Sequence, residues 1–347
     1  MRSTLEAFLK PLISPSGRFL SKSFVFALAF SVHTAAGAAQ SQKSATRHLV
    51  IVMEGQNIRV QPQVNGLRNG LEELKYIEGE NFTWTQIEGG GSDQLRLKLR
   101  SLMERQRIDV LVTLGTIETT VAKEIATKTP IVFLPVPDPV ESGFVQSLAS
   151  PRTNLTGLAF FTGNESMSKQ LEVFKQAIPS MRKVWAISDD RLRTTAGESW
   201  TRLKDVAAWL RLELAEQAVT STDDAARKID QLYKPGANDG VFVICSGLFK
   251  DVERLAAVAA KRKLPLFGCN TFQVAEQNAV LSYAPDLYSL GYRGAWFVDR
   301  LFRGAKPQEL PVEMPRKFEL VINIRAAGEV GLKIPPEILM LSDRVFR

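Results

Sequence analysis

The chain has 347 residues, long enough for two domains of about 100 to 150 residues each. Its content, 45% hydrophobic and 23% charged, is that of a packed globular protein and excludes a disordered chain. The formal charge of +7 is dispersed among acidic residues without an Arg/Lys stripe, which excludes nucleic acid as the expected partner, and two histidines leave little for His-based catalysis or a His-rich zinc site.

Residues 1–39 read as a secretory signal peptide. Arg2, Lys10, Arg18 and Lys22 precede the apolar run Phe24 to Val32, and Ala35-Ala36-Gly37-Ala38-Ala39 follows, with cleavage expected near Ala38. An apolar core of about nine residues is too short to span a bilayer, which takes roughly 20. Four basic residues against Glu6 put +3 of the charge in this leader and leave +4 for the rest. No cysteine lies near the cleavage region, so the expected product is soluble and not lipid-anchored. His33 leaves with the leader, and His48 opens the first strand in a structural role.

From His48 onward, strands and helices alternate. His48 to Met53 is an apolar strand whose exit loop is Glu54-Gly55-Gln56-Asn57, and the next helix carries Val64, Leu67, Leu71 and Leu74 on one face. Phe82 to Ile87 is a strand, Gly89-Gly90-Gly91-Ser92 leads into a helix with Leu95, Leu99 and Leu102, and Asp109 to Leu114 is a buried third strand. Gly115-Thr116 then opens another helix. A helix starting at a strand's carboxyl end offers free N–H groups and the positive end of its dipole, so a carboxylate would be held there, unless Thr116 at the expected cap position serves its own helix alone.

Ile131 to Leu134 is an unbroken apolar run, as in a central parallel strand covered on both faces. Pro135, Pro137 and Pro139 then remove three backbone donors, so the sheet is expected to stop and leave Asp138 in a rigid turn just past it. After a short helical run and Pro151-Arg152, Asn154-Leu155-Thr156-Gly157 starts a strand reaching Phe161, read as the passage from one lobe into another across a ligand cleft.

The second lobe repeats the scheme. A helix over 165–177 precedes the strand Lys183 to Ile187, and a helix carrying Trp200, Leu203, Val206 and Leu210 precedes a strand near Leu212. A helix near Asp223 to Leu232 follows, and then the strands ending at Cys245 and Cys269. Those cysteines end consecutive strands, which leaves two readings, a disulfide or two buried thiols. Ala279 to Tyr283 is a strand, 286–303 a helix, and Phe318 to Ile322 a last strand expected to complete the first lobe. The expected fold class is α/β, with lobe 1 over 47–155 plus 284–347 and lobe 2 over 156–283.

No nucleotide fingerprint, P-loop or nucleophile elbow occurs at the strand exits, so neither a cofactor nor a metal is expected. What remains is polar residues at strand ends: Gln56, Gly115, Thr116, Asp138, Asp189, Ser246, Asn270 and Tyr283, with Glu54 and Asp190 beside them. Hydroxyls and N–H groups would take a carboxylate, a carboxylate would pair an ammonium, and Tyr283, Phe161 or Phe272 would stack on an apolar ligand group. Turn and cap duty explains Asp138, Asp189 and Ser246 equally well.

Several words are familiar. P-I-V-F at 130–133, D-P-V at 138–140, G-F-V-x-S-L-A at 143–149 and N-L-T-G at 154–157 resemble the substrate-binding proteins of the tryptophan/tyrosine type ABC importer family. So do L-S-Y at 281–283, R-G-A-K-P at 303–307, L-P-V-E at 310–313, K-F-E-L-V-I-N at 317–323, G-L-K-I-P-P at 331–336 and S-D-R-V at 342–345.

The resemblance implies a type I periplasmic binding protein of two Rossmann-like lobes joined by a three-segment hinge. Such a protein is a periplasmic monomer without enzymatic activity, with a small-molecule ligand, often an amino acid, and ABC permease subunits as its partners. Three places depart from the family pattern: Arg152-Thr153 where a glycine pair is usual, Gln277-Asn278-Ala279-Val280 where glycine is common, and Ser188-Asp189-Asp190 where Asn-Pro is common. The rival expectations are a sensor subunit using the same cleft and a doubly wound enzyme using the Asp189-Asp190 pair.

Overall fold

The computed structural model describes residues 46–55, 60–137, 139–160, 165–190, 197–232, 236 and 238–347. The leader, Gln56 and Asp138 lie outside the described residues.

The first of two sheets contains β1 (Arg47–Met53), β2 (Phe82–Glu88), β3 (Val110–Thr113), β4 (Ile131–Val136) and β5 (Leu155–Ala159), in the order β2-β1-β3-β4-β5 with every pairing parallel. Side chains of β1 alternate between two cores. Leu49, Ile51 and Met53 pack toward α1 (Gln61–Glu73) and α9 (Leu287–Phe302), and Val50 and Val52 toward α2 (Ser92–Arg105) and α3 (Thr116–Ile125). Helices on both faces are why this strand reads as an apolar run without alternation.

The second sheet has seven strands: β6 (Lys183–Asp189), β7 (Glu213–Val219), β8 (Asp239–Val243), β9 (Leu266–Gly268), β10 (Leu281–Pro285), β11 (Phe318–Asn323) and β12 (Arg344–Phe346). Their order is β12-β11-β10-β9-β8-β6-β7, and β10 with β11 is the antiparallel pair. Val184 and Ala186 of β6 join one core with α4 (Glu165–Ala177) and α5 (Gly197–Trp209). Ile187 joins the other with α6 (Thr222–Asp230) and α7 (Glu253–Lys261). The other α-helices among the described residues are α8 (Thr271–Glu276), α10 (Ile324–Glu329) and α11 (Pro336–Leu341).

The chain passes between the two sheets three times, after β5, after β10 and before β11. At the second passage Asp286 caps α9, its carboxylate accepting from the N–H groups of Tyr288 and Ser289. At the third, Lys317 pairs with it: Asp286 N–H donates to the Lys317 carbonyl at 3.0 Å, and Lys317 Nζ lies 2.7 Å from Asp286 Oδ2. Burial opposes the charge of Asp286, but hydrogen bonds from Lys317 and Ser289 outweigh it and hold the carboxyl below its usual range.

The structure departs from the sequence reading in several places. Strand β4 runs through Pro135 to Val136, because the missing Pro135 donor falls in a register shift between Phe133 and Val136 where the ladder is interrupted. No helix forms between Pro139 and Pro151; turns do, with the N–H groups of Phe144 and Val145 both donating to the Pro139 carbonyl. Strand β5 pairs with β4 in the first sheet, and β11 pairs with β10 in the second, the reverse of the expected membership for both. Local hydrophobicity marks a strand but does not choose its partner.

Two departures from the family pattern gain a reason. Arg152 and Asn278, where glycine is common, adopt φ of 53° and 59°. Left-handed backbone costs a side-chain-bearing residue roughly 1–2 kcal/mol and glycine almost nothing.

Helices α1 and α9 pack almost backbone to backbone. A Cβ on Gly66 would lie 2.0 Å from the Tyr288 carbonyl oxygen, and one on Gly291 would lie 2.0 Å from that of Gln63. Gly291→Ala must therefore pry the helices apart; it is expected to destabilise the protein by roughly 1–3 kcal/mol, read as a lower midpoint in denaturant unfolding.

Candidate functional site

All five strands of the first sheet run the same way, so their carboxyl ends share one edge. There β3 leads through Leu114 and Gly115 into α3. Gly115 is the N-cap, with φ of 124°, and no side chain caps the helix. Its carbonyl accepts from the Thr119 N–H at 3.1 Å and from Thr119 Oγ1 at 2.6 Å, and Thr119 Oγ1 lies 2.8 Å from the buried Thr113 Oγ1. This fixes the turn. Thr116 is the first helical residue and is exposed, not the cap as expected, because the cap position needs a positive φ that glycine supplies.

Sequence reading passed over Glu118. It sits in the first turn of α3 with only 4% of its surface exposed. Its carboxylate folds back over Gly115, where an added Cβ would come within 2.5 Å of Glu118 Oε2. Among the described residues no other group hydrogen-bonds to it. Burial pushes its carboxyl above the usual range, its own backbone N–H and the charge of Lys250 pull it down, and Glu54 at the exit of β1 pushes it up. A helix N-terminus returns at most about 2 kcal/mol to an anion, whereas an unpaired buried charge costs several. The signal was in the spacing: Glu118, Val121, Ala122 and Ile125 follow the i, i+3, i+4, i+7 stripe of a buried face.

Lys250 belongs to the second sheet's loops, just after the short 3-10 helix Gly247–Phe249 that follows β8. That its charge acts on Glu118 brings the exits of β3 and β8 into one electrostatic neighbourhood.

The other expected residues are placed as follows. Asp189 is the last residue of β6 and is buried, with Ser188 beside it carrying a buried hydroxyl that has no hydrogen-bond partner among the described residues. Ser246 Oγ accepts from the Leu248 N–H at 3.2 Å, and Asn270 Oδ1 from the Gln273 N–H at 3.1 Å, so both side chains cap short helices while their own O–H and N–H donors remain. Tyr283 lies within β10 and not past its end. Its ring is stacked on Phe318 at 5.3 Å, and its carbonyl accepts from Gln170 Nε2 at 2.9 Å.

Ser246 and Asn270 sit on loops tied together. Cys245 and Cys269 form a disulfide, with their Cα atoms 5.4 Å apart, where sequence left the pairing open. Gln273, fully buried, adds a second tie: its Oε1 accepts from the Cys269 N–H at 2.7 Å and its Nε2 donates to the Phe249 carbonyl at 2.6 Å. Two strand exits thus hold a fixed spacing.

The family model for ABC transporter substrate binding protein matches residues 49–346. The chain belongs to that family. A tyrosine-binding protein of Clostridioides difficile (strain R20291) is 23% identical to this substrate-binding protein over 259 residues, spanning 74% of this chain and 73% of its own length. A conserved domain protein of Vibrio cholerae has the same fold, with a TM-score of 0.71, 24% identity and coverage of 86% of this chain and 99% of its own. An ABC domain of Streptococcus pneumonia solved with L-Trp gives a TM-score of 0.69 at 19% identity, covering 87% and 100%. Both sheets of this substrate-binding protein therefore belong to the periplasmic binding protein fold.

Two outcomes test the site's construction. The double variant Cys245→Ser, Cys269→Ser opens a loop with a sequence separation of 24 and is expected to lose roughly 3 kcal/mol, measured by denaturant unfolding. Glu118→Gln is expected to raise the melting temperature of the ligand-free protein at neutral pH. Because the folded carboxyl titrates above its unfolded value, ionised Glu118 is a net cost that sets in as pH rises through the folded pKa. The advantage of the variant should therefore vanish below about pH 4, where the carboxyl is protonated in both states.

Proposed function

We propose that this protein is the solute receptor of an ABC importer in the periplasm, delivered there by the leader over residues 1–39. It binds a small molecule, an amino acid such as tyrosine or tryptophan, between two lobes, and its closed form docks on permease subunits. The protein acts as a monomer and leaves its ligand chemically unchanged.

The observation that carries this reading is the family match over residues 49–346 on a chain whose two sheets are joined by three crossings. The named tyrosine-binding relative and the L-Trp complex support an amino acid as the ligand. On sheet membership, we take one lobe as 46–159 plus 287–313 and the other as 165–285 plus 318–347. The connecting residues between them bend.

In this reading the ligand meets Gln56, Gly115, Thr116 and Asp138 from one side and Asp189, Ser246 and Asn270 from the other, with Tyr283 near the hinge. Binding favours the closed form by the difference in affinity between the two states, and that difference selects the form the permease receives.

Titration calorimetry with L-tyrosine and L-tryptophan, paired with small-angle scattering, tests it. Saturable binding with a decrease in radius of gyration is expected. If no amino acid binds and the scattering profile never changes, the receptor reading falls.

A further inference from the structure

We infer that the α3 end of the ligand site receives a positively charged group, an ammonium or guanidinium held by Glu118, and that it turns a carboxylate away. This rests on the receptor reading and adds the orientation and charge of the solute.

The N-terminus of α3 is a natural seat for an anion, and sequence alone would put a ligand carboxylate there. In the folded protein that seat is already taken. The Glu118 carboxylate lies over Gly115 and accepts from its own N–H group; the residue as a whole is 96% buried, and no other group among the described residues hydrogen-bonds to it. An incoming carboxylate would be the second or third negative group there, since Glu54 already acts on the same carboxyl. An incoming cation would meet a carboxylate on a largely buried side chain, where charge-assisted hydrogen bonds are stronger than in open water.

A purely structural Glu118 would complement the helix dipole from solvent, as first-turn acids do at no desolvation cost. Here the side chain is withdrawn from solvent on the apolar stripe of α3, over a glycine turn braced by Thr113 and Thr119. Lys250, approaching from the other sheet's loops, is near enough to soften the acid's charge. A ligand carrying both charges would thus lie with its ammonium toward α3 and its carboxylate toward the second sheet.

The test uses three compounds that differ by one group each, L-tyrosine, tyramine and 3-(4-hydroxyphenyl)propionate, with L-arginine as an unrelated cation. Affinities are measured by calorimetry on the full protein and on Glu118→Gln, and thermal melting checks that the variant is folded. Tyramine is expected to bind at least tenfold more tightly than the propionate, and Glu118→Gln to weaken L-tyrosine and tyramine at least tenfold while narrowing the gap to the propionate. If Glu118→Gln leaves L-tyrosine affinity within twofold, or the propionate binds as well as tyramine, the inference is overturned while the receptor reading stands. If none of the cationic compounds binds the unaltered protein, the inference falls before any variant is made, and calorimetry with the other amino acids decides the receptor reading separately.

Discussion

Asp286 and Lys317 hold the two halves of the molecule to a common strap. One backbone hydrogen bond and one ion pair join the segment that leaves the seven-stranded sheet for α9 to the segment that returns for β11. Both segments continue the antiparallel β10/β11 ladder, so the strap is the end of a sheet and not a loose linker. Asp286 also caps α9, which lies against β4 and α1 in the other half.

Much of this was legible in the sequence because burial on both faces leaves a plain mark. The runs at Leu49 to Met53, Val110 to Val112, Ile131 to Leu134 and Val241 to Val243 each proved to be parallel strands with helices on both sides. What local pattern could not give was partnership. Leu155–Ala159 and Phe318–Asn323 are equally apolar, and only hydrogen bonds to residues distant in sequence assign one to each sheet. The site divided the same way. That a helix starts straight after β3 followed from the apolar run and Gly115, but the displacement of Thr116 from the cap depended on a backbone angle, and the burial of Glu118 showed only in its spacing with Val121, Ala122 and Ile125.

The loops at the strand exits of the two sheets differ in how they are made rigid. Near β3, hydroxyls do it: Thr113 and Thr119 brace a glycine turn. Near β8 and β9, a covalent bond and a buried glutamine do it, freeing Ser246 and Asn270 to cap their short helices without having to hold the loops in place. Glu118 is a buried acid whose carboxyl burial holds above its usual range, its own backbone N–H and the charge of Lys250 offsetting part of that.

The interleaved path of the chain has a consequence for how the protein comes into being. Helix α9, from Leu287 to Phe302, packs in the half that begins at Arg47, and β11 and β12 complete the half that begins at Lys183. Neither half is a continuous stretch of polypeptide. The layer holding Leu49, Ile51 and Met53 also takes in Leu290, Phe297 and Leu310, and the layer holding Val184 and Ala186 takes in Ile322 and Ile338, so as the chain grows from its amino end neither half can complete both of its hydrophobic layers until these late segments have emerged.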